Sequence, residues 1–128
     1  MSFLTEKLPN ENIILHTLNA DFKASEEVEA SNHSLLSMLR SLEKPAFIVV
    51  DATMMSPSFE DLMVSANKVR KDNIFANPAI RELLIVTHDE MLILATKGLS
   101  SPIFGFLKIK VFPSIQRALA YARAQRPV

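Results

Sequence analysis

The chain has 128 residues and a mass of 14.3 kDa, the size of one domain, so we predict a single domain over residues 1–128. Its 14 basic and 14 acidic side chains cancel, which argues against a dedicated nucleic-acid-binding protein, because such proteins are usually strongly basic. With no cysteine there is no disulfide framework, thiol nucleophile or cysteine metal site, and only two glycines exclude most glycine-rich phosphate loops.

Targeting and membrane signals are not expected in this sequence. The first residues lack the basic segment followed by an apolar run that marks a secretory signal. Residues 91–112 are the most apolar stretch, but lysines, glycine and proline interrupt it, so we predict no membrane span. We therefore expect a cytoplasmic protein that binds no nucleic acid and needs no cofactor.

The first forty residues predict a strand pair and a helix. Residues 13–18 (IILHTL) are typical of a strand, and a Pro-Asn turn signal before them makes residues 3–7 an antiparallel partner. Ser25 has the position of a helix N-cap, with two glutamates in the first turn. The apolar residues at helical spacing are Val28, Leu35, Leu36, Leu39 and Leu42. The helix should end before Pro45, because the residue preceding proline disfavours the helical region.

A second strand and helix follow. Residues 46–50 (AFIVV) form a continuous apolar run, which favours a central strand covered on both faces. The next helix opens at Ser56 or Ser58, and Ser58 with Asp61 has the spacing of a capping box. Its predicted apolar stripe consists of Phe59, Leu62, Met63, Ala66 and Val69.

A third strand and helix come next. Residues 83–86 (LLIV) predict a buried strand. Asp89 and Glu90 start a helix over residues 91–97, and Gly98 is placed as the first residue beyond its end.

The last strand and helix complete the pattern. In residues 107–112, Lys108 and Lys110 alternate with apolar side chains, which predicts an edge strand with one wet face. Ser114, in a Pro-Ser pair, opens the last helix. Strands that alternate with helices predict an α/β domain with a mainly parallel sheet.

Four segments in order carry a family resemblance: FIVVD, MMSPSFEDL, AIRELLIVTHDE and IKVFPSIQRALAYAR. Together they resemble the SpoIIAA-like, or STAS-like, group of small α/β domains over roughly residues 13–123. The resemblance implies a four- to five-stranded, mainly parallel sheet with helices packed mostly on one face.

The resemblance also implies a type of function. Members related to anti-sigma-factor antagonists are protein-binding modules, so we expect a non-enzymatic, regulatory protein-interaction module whose partner is a second copy, in a homodimer, or another protein. Some members are phosphorylated on a serine at the start of the helix after the central strand, where this chain has Ser56 and Ser58. Met54-Met55-Ser56-Pro57 replaces the usual Asp-Ser-Ser-Gly-like turn, and N-capping is the simpler role of both serines. Related fold members include CRAL-TRIO lipid-transfer domains, so a binder of an apolar or lipid-like ligand is the alternative.

The contact region for a partner or ligand is predicted near the third helix. An apolar connection over residues 99–106 follows that helix and either packs on the sheet or forms an exposed patch. The predicted contact residues are Met91, Leu94, Leu99, Ile103, Phe104 and Phe106.

Polar residues at two strand ends offer a third hypothesis, an enzyme. Asp51, Thr87, His88 and Asp89 follow two strands whose ends lie at one edge of a parallel sheet, where acid–base or metal chemistry is often placed. Loop aspartates, however, usually accept hydrogen bonds from nearby backbone amides. His16 and His33 lack metal-ligand spacing and are expected to be structural or surface residues, so we predict no catalytic residue and no metal site.

Charge is distributed unevenly along the chain. The first 90 residues hold 8 basic and 14 acidic side chains, whereas no acidic residue follows Glu90 and six basic ones do. The basic segment either forms a face for an acidic partner or folds between acidic elements and leaves no patch.

Overall fold

Strands and helices alternate along the chain after an initial pair of strands, in the order that the sequence predicts. The computed structural model describes residues 2–72, 77–99 and 108–125. The strands there are β1 (Phe3–Lys7), β2 (Ile13–Leu18), β3 (Ala46–Asp51), β4 (Ile80–Val86) and β5 (Ile109–Phe112). The helices there are α1 (Ala24–Arg40), α2 (Phe59–Asp72), α3 (Glu90–Leu99) and α4 (Ile115–Ala124).

The five strands form one sheet in the order β1-β2-β3-β4-β5. β1 is antiparallel to β2, and every later pair of neighbours is parallel. A helix follows each of β2, β3 and β4, because neighbouring parallel strands need a long crossover connection. The predicted α/β architecture is therefore confirmed, and β5 lies at an edge, as its alternating lysines indicate.

Apolar side chains cover both faces of the sheet. The cluster under α4 consists of Ile13, Phe47, Val49, Leu84, Val86, Ala118 and Ala122. The cluster on the opposite face consists of Ile14, Leu35, Leu39, Ala46, Ile48, Leu83 and Ile85, with Leu92 of α3 packed against it. Because α2 packs against α1 and α3, three helices lie on this face and one on the other, so helices are mostly on one face.

The start of α1 differs from the prediction. Ser25 is not the N-cap; that position belongs to Lys23, whose extended backbone precedes the helix and whose side chain makes no cap hydrogen bond. The Glu27 carboxylate reaches back to this N-cap residue and accepts a hydrogen bond from the backbone N–H of Lys23 at 2.7 Å. The hydroxyl of Ser2 donates to the same carboxylate and ties β1 to this helix end.

The end of α3 also differs. Gly98 lies inside the helix, which continues to Leu99, so its placement beyond the helix end was wrong. Among the described residues beyond its own helix turn, no atom lies within 4 Å of the position that a Cβ on Gly98 would occupy, so none of them requires a glycine there.

The other predicted caps are confirmed. The backbone N–H of Asp61 donates to Ser58 Oγ at 3.0 Å, and the N–H of Ser58 donates to Asp61 Oδ2 at 3.3 Å. Ser114 Oγ likewise accepts from the N–H of Arg117 at 3.2 Å and is the N-cap of α4. Each cap satisfies helix amides that have no partner within the helix.

Basic residues near the end of the chain meet acidic residues from its first ninety. Arg123 Nε lies 3.0 Å from Glu11 Oε2, and Lys110 Nζ lies 3.9 Å from Glu82 Oε2. Folding thus interleaves the two halves at these two positions, as the second of the two charge hypotheses expected.

Candidate functional site

The exposed apolar side chains of the described residues are concentrated before and on α2 and α3. Met91 and Leu94 of α3 are 43% and 66% exposed and lie three residues apart, on one side of the helix. Both are therefore available for contact. Leu99, another predicted contact residue, is the last residue of α3, and the structure does not describe its side chain. The predicted contact residues Ile103, Phe104 and Phe106 lie outside the described residues.

Two apolar residues of α2 are exposed as well. Phe59 and Met63 are 66% and 48% exposed, although the sequence pattern assigned them to the apolar stripe of the helix. That assignment was wrong because the inward side of α2 is formed by Leu62 and Ser65. Phe59 and Met63 lie four residues apart on another side, and Met54 in the preceding loop is also exposed.

The two serines of the predicted phosphosite have different environments. Ser58 Oγ already accepts the cap hydrogen bond from the backbone of Asp61, whose carboxylate accepts from the backbone of Ser58. A phosphate on Ser58 would place negative charge beside that carboxylate, which opposes the modification. Ser56 is exposed and lies before the cap, and its phosphorylation stays a prediction.

The polar residues at the ends of β3 and β4 are engaged locally. Asp51 Oδ1 accepts from the backbone N–H of Thr53 at 3.1 Å and from its hydroxyl at 2.7 Å. Thr87 Oγ1 accepts from the N–H of Asp89. His88 is exposed, and within the described ranges no hydrogen bond joins it to Asp51.

The remaining carboxylate of this group, Asp89, caps α3. Its Oδ1 accepts from the backbone N–H of Leu92 at 2.9 Å, which is the geometry of a helix N-cap. Among the described residues, no group of three histidine, aspartate or glutamate side chains is arranged to hold a metal ion. The local backbone role thus accounts for the contacts of both aspartates.

A buried hydrogen-bond chain links β1, β2 and α1 through His16. Thr5 and His16 are register partners, and Thr5 Oγ1 lies 2.8 Å from His16 Nδ1. On the other side of the ring, His16 Nε2 lies 2.7 Å from Ser31 Oγ. Ser34 completes the chain by donating to Thr5 Oγ1 at 2.7 Å. Both ring nitrogens are therefore satisfied by hydroxyl groups of neighbouring elements.

Burial determines the charge of this histidine. His16 is 1% exposed, and burial lowers the pKa of its imidazole to about 4. The ring is therefore neutral at pH 7. A neutral imidazole has one N–H group and one acceptor nitrogen, so its two partners must be one acceptor and one donor. The hydroxyls of Thr5 and Ser31 can supply either role, so the network is complete without a charge.

Beside this network lies a small cavity between the sheet and the three helices of its face. Its volume is about 150 Å³ and it is partly open to solvent. The apolar part of the lining includes Leu18, Phe22, Val28, Leu35, Val50, Leu62, Leu83, Ile85 and Leu92. The polar part comes from His16, Ser31, Asn32, Asp61 and Ser65. A mostly apolar cavity with a few polar groups has the composition of a small-molecule site.

One of those polar groups is unsatisfied. Asn32 is 8% exposed, and its side-chain Nδ2 is buried without a hydrogen-bond partner among the described residues. A buried donor without a partner costs roughly 1–3 kcal/mol, and most buried polar atoms in proteins are paired. Asn32 is therefore the exceptional group in this cavity.

Sequence reasoning missed this region, although a signal for it exists. In α1 the inward positions Val28 and Leu35 are separated by Ser31 and Asn32, which lie three and four residues from each of them. In β2, His16 follows Ile14 by two residues and shares its face. Polar residues at inward positions of both elements indicate a buried polar site.

A second, more polar cavity lies at the opposite end of the sheet. Its volume is about 410 Å³, and its lining includes Lys44, Arg81, Arg123 and Glu11. The guanidinium of Arg123 is paired with Glu11, and the guanidinium carbon of Arg81 lies 4.6 Å from the ring centre of Phe47. Two of its cations are thus engaged by neighbouring side chains.

None of the helices within residues 2–72, 77–99 and 108–125 combines the length and apolar character that a membrane-spanning segment needs.

Comparison with known proteins identifies two similar solved structures. No protein-family model and no curated protein matches the sequence. An uncharacterised protein of the DUF3478 family with a SpoIIAA-like fold, from Shewanella loihica PV-4, superposes with a TM-score of 0.62 at 16% identity, over 94% of this chain and 91% of that one. An anti-sigma factor antagonist from Mycobacterium paratuberculosis gives a TM-score of 0.54 at 12% identity, over 94% and 92%.

These similarities agree with the architecture built up from the strands and helices. The shared coverage takes in nearly the whole chain, so the likeness concerns the entire sheet and its helices. The resemblance drawn from the sequence segments is confirmed at the level of the fold. This chain has a SpoIIAA-like α/β fold.

Proposed function

We propose that this chain is a non-enzymatic, regulatory protein-interaction module whose partner is a second copy of itself. The fold is shared with an anti-sigma factor antagonist, a protein whose name implies a protein partner. The observation that carries the proposal is the exposed apolar surface before and on α2 and α3, which we call the α2–α3 surface. The cytoplasmic location and the single domain stay predictions from the sequence.

The α2–α3 surface stands out from the rest of the described protein. Its members are Met54, Phe59, Met63, Met91 and Leu94, and the other large hydrophobic side chain that is exposed to this degree is Leu4 of β1. Helices α2 and α3 pack against each other, so these exposed residues lie on neighbouring helices. Apolar groups gathered in one region of a surface are typical of an interaction site.

Three of these five side chains are methionines, which suit a contact surface. A methionine side chain is unbranched and polarizable, so it adapts its shape to the surface of a partner. Phe59 adds an aromatic group, and aromatic residues with methionine are enriched in protein interfaces. The surface therefore has the composition of a contact region.

A second copy of the chain is the occupant that the charges favour. The net charge of the chain is zero, so two copies do not repel each other at long range. In a two-fold dimer the same patch of each copy contacts its counterpart. An apolar patch can do so without electrostatic repulsion, because it carries no charge. The predicted contact residues Ile103, Phe104 and Phe106 lie outside the described residues, and their part in the contact stays a prediction.

The mass of the protein in solution tests the proposal. Light scattering of the full chain from micromolar to hundreds of micromolar concentration should show the mass rising from 14.3 kDa towards twice that value. Leu94→Asp should hold the protein at the monomer mass, because a dimer would bury an unpaired carboxylate. Circular dichroism should show that this variant keeps its fold, since the side chain is exposed.

Leu4→Asp is the matched control, because it makes the same change at an exposed leucine outside the α2–α3 surface. It should dimerise like the original chain. A wild-type chain that keeps the monomer mass throughout would contradict self-association. Dimerisation that survives Leu94→Asp but is lost in Leu4→Asp would place the interface at the β1 edge and contradict the proposed surface.

A further inference from the structure

We propose that the cavity beneath α1, α2 and α3 is a binding site for a compact, uncharged, mostly apolar molecule with one carbonyl oxygen, which accepts a hydrogen bond from the side-chain amide of Asn32. The cavity is distinct from the α2–α3 surface and does not depend on the proposed dimer. An aromatic ketone, aldehyde or amide belongs to this class.

The size of the cavity sets the size of the ligand. Its volume is about 150 Å³, and an apolar cavity of about that size is large enough to hold benzene. The ligand therefore has roughly six to ten non-hydrogen atoms. The partial opening to solvent gives such a molecule a way in.

Asn32 determines the polar group of the ligand. The side chain of Asn32 lines the cavity, and its amide nitrogen has no acceptor within the described part of the chain. That nitrogen is itself covered, so the proposed hydrogen bond requires the amide group to turn about the Cβ–Cγ bond towards the ligand. The neighbouring polar residues His16 and Ser31 already bond to each other, and the second ring nitrogen of His16 bonds to Thr5. The unused group is thus a donor, and a carbonyl oxygen is the acceptor that supplies its missing bond.

The charges of the lining decide between neutral and ionised ligands. Asp61 is the charged side chain among the lining residues, and its carboxylate disfavours an anion such as a fatty acid. An ammonium group has no acceptor to offer Asn32, so a cation would leave the amide unsatisfied. A neutral carbonyl compound satisfies the donor without burying a charge.

Two isosteric probes separate apolar filling from the hydrogen bond. Acetophenone carries a carbonyl oxygen where α-methylstyrene carries a methylene group, and otherwise the two have nearly the same shape. In a titration of the ¹⁵N-labelled full chain followed by NMR, acetophenone should bind about tenfold more tightly, the effect of pairing one buried donor. The Asn32 side-chain NH₂ signals should move downfield with acetophenone and not with α-methylstyrene.

Asn32→Leu replaces the amide by an apolar side chain of similar size. This variant should bind the two probes with equal affinity and should unfold at a higher temperature than the original chain when no probe is present. Asn67→Leu is the matched control, because Asn67 is an exposed residue of α2 outside the cavity lining. It should keep the tenfold preference. If Asn32→Leu does not fold, Asn32→Ala serves in the same comparison.

Four results would overturn the proposal. Two concern the original chain: no binding of acetophenone up to its solubility, or equal affinity for both probes. The third is a preference for acetophenone that persists when Asn32 is replaced. The fourth is a water molecule that stays hydrogen-bonded to the Asn32 amide at saturating acetophenone. The mass of the protein in solution is read separately, so loss of this site and loss of the dimer are distinguishable.

Discussion

The hydroxyl of Tyr121 in α4 donates a hydrogen bond of 2.6 Å to Oε1 of Glu82 in β4. The Tyr121 ring also packs edge-on against Phe47, with ring centres 6.2 Å apart, and Lys110 Nζ lies 5.5 Å from the Tyr121 ring centre. Burial, with the Glu82 hydrogen bond, raises the pKa of Tyr121 to about 12. Tyr121 therefore holds α4 against the sheet. Among the described helices, α4 is the one that covers this face of the sheet.

Removing that hydroxyl should weaken the fold slightly. Tyr121→Phe keeps the ring contacts and loses the hydrogen bond, so the free energy of unfolding should fall by about 1 kcal/mol. Urea unfolding at pH 7 measures the change. Glu82→Ala removes the acceptor of this hydrogen bond, so the double variant with Tyr121→Phe should lose less than the sum of the two single losses. Additive losses would show that the two groups do not interact.

Acid should destabilise the protein through His16. The unfolded chain takes up a proton near pH 6.5, whereas burial holds the pKa of His16 in the folded protein at about 4. The unfolded state therefore binds more protons between these values, and the free energy of unfolding should fall as the pH drops from 6.5 to 4. The loss approaches about 3 kcal/mol, because one pKa unit corresponds to roughly 1.4 kcal/mol.

Urea unfolding at a series of pH values from 7.5 to 4 measures this loss, and His16→Gln provides the comparison. The glutamine variant starts from a lower stability at pH 7.5, but its stability should change less between pH 6.5 and 4. Equal slopes in the original chain and in His16→Gln would contradict the assignment.

The capping box at Ser58 should contribute measurably to stability. Ser58→Ala removes the oxygen that accepts from the backbone of Asp61, and the loss of an N-cap costs about 1 kcal/mol. Ser56→Ala is the matched control two residues away, and it should change the free energy of unfolding by less than about 0.5 kcal/mol because its side chain is exposed. Thermal unfolding of both variants tests the difference. A Ser56 variant that loses more than the Ser58 variant would contradict the cap assignment.

Core and surface positions of similar chemistry should respond differently. Leu84 of β4 is fully buried, so Leu84→Ala should cost about 2–5 kcal/mol through lost burial and the cavity left behind. Leu94→Ala, the same change on the exposed α2–α3 surface, should cost less than about 0.5 kcal/mol in the monomer. Denaturant unfolding at low protein concentration measures both. Similar losses would mean that Leu94 is packed in the monomer.

The strands were predictable because their hydrophobic patterns are strong. Residues 46–50 form an uninterrupted apolar run, and they lie in β3 at the centre of the sheet. The alternating lysines of residues 107–112 placed β5 at an edge. An uninterrupted apolar strand needs cover on both faces, and a strand with alternating lysines needs one face in water. Each local pattern was therefore enough to place its strand at the centre or at the edge of the sheet.

The helix faces were less predictable because they depend on distant partners. Phe59 and Met63 have the spacing of a core stripe, yet they are exposed, whereas Leu62 and Ser65 line the cavity. The helical spacing of apolar residues shows that one side of the helix is apolar. It does not show which side of the helix the rest of the protein covers. Asn32 escaped attention for a related reason, since an asparagine among serines on a helix looks like a solvated residue until its burial is known.

The spatial order of the strands is also their order along the chain. During synthesis, each new strand therefore meets a growing edge formed by the strand made just before it, and no early strand has to wait for one made much later. Pairings between neighbours in sequence keep the loops to be closed short, which favours folding by successive addition from the N-terminal hairpin. At each step, one of the two exposed edges of the growing sheet is then the one that the next strand will cover.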